Sequence, residues 1–122
     1  MTRAQDIAFP NRTFQLWLFK PGHRQLLLRS PGDPDRQVSQ IDILFKNVTY
    51  LALNSVLGEL VIREGDETEQ AKLFSARQTL AHDGSSHIFI LRGEGSEGLV
   101  VAGHSQHVEY EGDFRQESPL VV

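Results

Sequence analysis

From Thr13 to Lys20, Phe14, Leu16 and Leu18 alternate with Gln15, Trp17 and Phe19, a pattern that predicts a strand with apolar groups on both faces. Pro21-Gly22 ends it, and His23 to Ser30, centred on Leu26, Leu27 and Leu28, reads as its antiparallel partner. Pro-Gly favours a type II turn, whose twist suits a two-residue hairpin poorly, so a loop of about four residues is expected. Ser30 to Arg36 collects turn formers and charges. It is the longest evident loop and is expected to be the most mobile.

Ile41, Ile43 and Phe45 then alternate with Asp42, Leu44 and Lys46, and Val48 to Leu53 continues the apolar run. Lys46-Asn47 reads equally as a turn or as a bulge in one long strand. After Leu57-Gly58, Leu60 and Ile62 face one way while Glu59, Val61 and Arg63 face the other, predicting a half-exposed strand.

The period changes at Gly65. Asp66 and Glu69 have the spacing of a capping box, and Leu73, Phe74, Arg77, Leu80 and Ala81 recur at helical intervals, predicting a helix over about 67–81 that Asp83-Gly84 stops. His87 to Arg92 carries Ile88, Phe89, Ile90 and Leu91 in succession, which at this length fits a strand buried on both faces. Leu99 to Ala102 predicts another, and His104 to Glu111 alternates weakly through Val108 and Tyr110. The expected fold is mainly β: one domain over 1–122, an antiparallel barrel or sandwich of about seven or eight strands with one inserted helix.

Leu26-Leu27-Leu28-Arg29-Ser30 and Ile41-Asp42-Ile43-Leu44-Phe45-Lys46 resemble the strands of a group of short uncharacterised bacterial proteins. The resemblance covers about the first half of the chain. It implies β structure and carries no activity.

Composition narrows the chemistry. The 122 residues include no cysteine, which removes disulfide scaffolds, thiolate metal sites and cysteine nucleophiles. Twelve Lys and Arg against 16 Asp and Glu give a net charge of -4, which argues against a nucleic-acid partner. Met1 to Asp6 leads into no apolar run of signal or membrane-spanning length, so no membrane partner and a cytoplasmic location are expected.

Gly93 to Gly98 spells GxGxxG after a predicted strand, but a further strand rather than a helix follows, and Glu94 and Glu97 would repel a pyrophosphate. A hairpin loop is the expected reading. His107 and Glu109 would share one face of a strand, with His104 on the other. Completed by His82 or His87 they could begin a metal site, although no metal and no cofactor are expected.

Asp42 interrupts an apolar strand and needs a partner if it is buried. Arg29, at the end of a neighbouring strand, is the available cation, so a structural pair is expected. The catalytic alternative makes Asp42 a general acid or base, with Arg29 orienting an anionic substrate. No nucleophile elbow occurs.

These readings favour a non-catalytic domain that binds a protein or a small molecule. The alternative is a small acid/base or metal-assisted enzyme with Asp42, Arg29, His107 and Glu109 in a barrel mouth. A homodimer is also expected, with contacts through Trp17 or the apolar end at Leu120 and Val121.

Overall fold

The structure is a computed structural model and describes residues 6–76 and 86–121. Its strands are β1 (Ile7–Ala8), β2 (Thr13–Lys20), β3 (Gln25–Ser30), β4 (Gln40–Lys46), β5 (Tyr50–Ala52), β6 (Val56–Gly58), β7 (Val61–Glu64), β8 (His87–Gly93), β9 (Ser96–Ala102) and β10 (His104–Tyr110). The helix α1 (Glu67–Ala76) lies between β7 and β8. They form two antiparallel five-stranded sheets, β10-β4-β3-β2-β6 and β1-β7-β8-β9-β5. Neither closes into a barrel, so of the two expected architectures the chain adopts the sandwich. Three of the ten strands, β1, β5 and β6, have only two or three residues, too few for periodicity to register, so the expected seven or eight fell short.

The core lies between the sheets. Phe14, Leu26, Leu28, Ile43 and Phe45 of the first sheet meet Ile62, Phe89, Leu91 and Val100 of the second, and the Phe45 and Phe89 rings pack edge to face at 5.4 Å. Pro21 to Arg24 make the expected four-residue connection between β2 and β3. Lys46-Asn47 is neither hairpin turn nor bulge. Asn47 takes φ 56 and the chain passes there from the first sheet to the second. The later crossing from β9 to β10 falls at Gly103, whose N–H donates to the Lys46 carbonyl at 2.9 Å, so these two crossings share one corner.

Two apolar runs are buried on both faces because something covers each sheet from outside. On the second sheet, Ile88, Ile90 and Val101 point away from the core and pack with Leu73 and Phe74 of α1. The capping box forms as its spacing predicts: Glu69 N–H donates to Asp66 Oδ1 at 2.8 Å, and Asp66 N–H donates to Glu69 Oε1 at 3.0 Å. The remainder of the expected helix, its stop at Asp83-Gly84 and His82 lie outside the described residues. The loop after β3 is more ordered in its bonding than its composition suggests. Asp33 and Val38 bridge across a short 3-10 turn, Pro34–Arg36. Among the described residues no helix is long and apolar enough to cross a membrane.

Candidate functional site

On the outer face of the first sheet, Leu27 and Arg29 of β3 stand beside Gln40, Asp42 and Leu44 of β4, all of them buried. The chain after β10 folds back over this face. Arg29 is the link: its Nη1 donates to the Phe114 carbonyl at 3.0 Å.

Arg29 and Asp42 sit directly opposite one another in the β3–β4 register, which is why the two charges meet. Arg29 Nε donates to Asp42 Oδ1 at 2.8 Å and Nη2 donates to Oδ2 at 3.1 Å, with side-chain exposures of 2% and 0%. The expected structural pair is therefore present, in the fork geometry that makes such pairs strong. Tyr110 Oη donates to Asp42 Oδ2 at 2.6 Å and accepts from Gln40 Nε2 at 2.9 Å and Arg29 Nη2 at 3.3 Å. Gln40 Oε1 in turn accepts the Gly32 N–H at 3.2 Å. Burial works against the Arg29 charge, but the hydrogen bonds and charge of Asp42 outweigh it and raise the guanidinium above its usual pKa. Burial, reinforced by the Asp42 carboxylate, pushes the Tyr110 phenol up as well.

Beside this network a cleft of 420 Å³ opens between the sheet and the returning chain. Trp17, Leu18 and Lys20 of β2, Leu27 and Arg29 of β3, and residues 114–118 with Val121 line it. A register shift between Leu16 and Leu18 makes the wall: Leu16 opposes Leu28 and Leu18 opposes the next residue back, Leu27. One extra residue, Trp17, is thereby accommodated, and Trp17 and Leu18 both face the cleft. This bulge accounts for the two-faced apolar pattern of β2. Trp17 also stacks on the network, its ring centroid 5.2 Å from Arg29 Cζ.

Of the expected interface residues, Trp17 and Val121 line this same cleft within one chain, and Leu120 is half-buried beside them. His107 and Glu109 share a face, opposite Ile43 and Ile41 at the sheet edge, but their contacts are structural. The His107 ring packs edge-on against Phe9 at 5.5 Å, while Glu109 accepts the Ser39 hydroxyl and lies 3.5 Å from Arg12. His87 pairs with Glu64 at 3.2 Å on the other sheet. Among the described residues no three His, Asp or Glu side chains gather to hold a metal. Gly93 to Gly98 forms the tight β8–β9 hairpin, with Gly95 at φ 72.

Sequence reasoning missed Gln40, Tyr110, Lys20 and Phe114. Gln40 and Asp42 are two apart and share a strand face, so a double polar interruption was available as a signal. Phe114 carried none, since only the return of the chain gives it a place. No protein-family model, curated protein or solved structure matches the chain.

Proposed function

We propose that the chain is a non-catalytic binding domain that takes a small molecule in the cleft beneath residues 114–121. The observation that carries this reading is the β2 bulge, which turns Trp17 and Leu18 together into a cavity already walled by Leu27, Phe114 and Val121. Bulges are a common means of re-aiming side chains beside a site, and a volume of 420 Å³ falls within the usual range for small-molecule pockets. The buried acid behind the cleft, Asp42, does not suit catalysis. Both Asp42 oxygens are engaged by Arg29 and Tyr110, so accepting a proton would break the bonds that make its burial tolerable.

A fragment screen read by backbone amide NMR tests the proposal. Binders are expected to shift Trp17, Leu27, Phe114 and Val121 together and to raise the melting temperature. Ser118→Phe, which adds bulk at the rim, should remove those shifts and leave the melting temperature of the free protein within a few degrees. Shifts scattered over the surface, or binders untouched by Ser118→Phe, would overturn the reading.

A further inference from the structure

We infer that the cleft selects an apolar acid, its carboxylate held by Arg29 and favoured by the Lys20 charge, and its body set between Trp17 and Phe114; the inference rests on the cleft being a binding site. A guanidinium has five N–H donors. In Arg29, Nε and Nη2 supply the bonds to Asp42 and Tyr110, and one Nη1 hydrogen goes to the Phe114 carbonyl. The second Nη1 hydrogen has no acceptor among the described residues, on a side chain only 2% exposed that forms part of the cleft lining. An unmatched donor in so dry a place is costly, and an acceptor delivered by a ligand relieves it. A charged acceptor relieves it most.

Of the cations in the lining, Arg29 and Arg115 each have an acidic partner among the described residues and Lys20 does not. Lys20 is half-buried in the lining and has no hydrogen-bond or ion-pair partner among the described residues. Arg115, also in the lining, is held at 2.9 Å by Asp113 at the exposed rim. Two acids oppose a bound carboxylate: the charge of Asp42 is already matched by Arg29, and Glu117 is exposed, so water screens it, which leaves the Lys20 charge and the spare Arg29 donor to act on the ligand. Trp17 and Leu27 on one side and Phe114 and Val121 on the other leave apolar surface for the ligand's body.

Trp17 is the sole tryptophan, so its emission reports the cleft directly. Phenylacetate and phenylacetamide present one body with and without charge. Phenylacetate is expected to bind about tenfold more tightly or better, with an affinity that falls as salt rises. Lys20→Gln should narrow the gap between the two ligands severalfold by weakening the acid alone. Lys46→Gln, at the far end of β4, should leave the gap intact. Equal affinities for acid and amide would overturn the selection of an acid while leaving a neutral-ligand cleft standing. If neither compound at millimolar concentration changes Trp17 emission or the amide resonances of Phe114 and Gln116, both the acid inference and the cleft reading fall.

Discussion

Arg29 and Asp42 hold each other in place, since both side chains are almost fully buried. Removing one member of such a pair leaves the other buried and uncompensated, a loss of about 3 kcal/mol or more. Asp42→Ala is therefore expected to lower the unfolding free energy by about 3 kcal/mol in urea titration, and a near-zero change would mean that water reaches Arg29. Tyr110→Phe removes only the hydroxyl that bridges Asp42 and Gln40, with an expected cost of about 1 kcal/mol. It should also alter the alkaline limb of the stability curve. The folded phenol titrates above its unfolded value of about 10. Below that value both states keep the proton and Tyr110 contributes in full. Above it the unfolded chain loses its proton first, so stability falls with rising pH until the folded phenol also ionises. Denaturant midpoints from pH 8 to 11 should drop less steeply in Tyr110→Phe than in the parent, and parallel curves would contradict the assignment.

The strands that read clearly from sequence are those whose burial follows one rule along their length. β4 and β8 could be recognised as runs, and Asp66 and Glu69 announced the start of α1 because a capping box is local chemistry. Asp66→Ala is expected to cost about 1 kcal/mol, seen as a lower melting temperature, with no effect on ligand binding at the opposite sheet. The β2 bulge stayed hidden because a residue added to a strand shows in sequence only as a change of parity, and Phe14 to Phe19 is apolar on both parities. The sheet crossing at Asn47 was ambiguous for a related reason. A left-handed residue between two apolar segments fits a turn, a bulge or a change of sheet alike, and only the partner strands decide.

At the scale of the whole molecule, both sheets need an outer cover. α1 supplies one and was legible in part, while the C-terminal segment supplies the other and was legible only as an apolar end whose partner could have been its own chain or a second copy. The loop after β3 and the turn after β10 meet where a Cβ on Gly32 would run into the Gly112 carbonyl and, at 2.8 Å, the Gln40 backbone nitrogen. Gly32→Ala should thus cost about 2 kcal/mol and shift Trp17 emission to the red as residues 114–121 loosen; unchanged emission would show that the cover does not depend on that contact. The most direct test of the cleft as a binding site is fluorine NMR on protein labelled with fluorotryptophan, which carries a single line because Trp17 stands alone. This line is expected to move saturably with any small molecule that calorimetry shows to bind, and Ser118→Phe is expected to abolish both signals together. A ligand that binds by calorimetry while the Trp17 line stays fixed would place the site elsewhere and refute the cleft as the binding site.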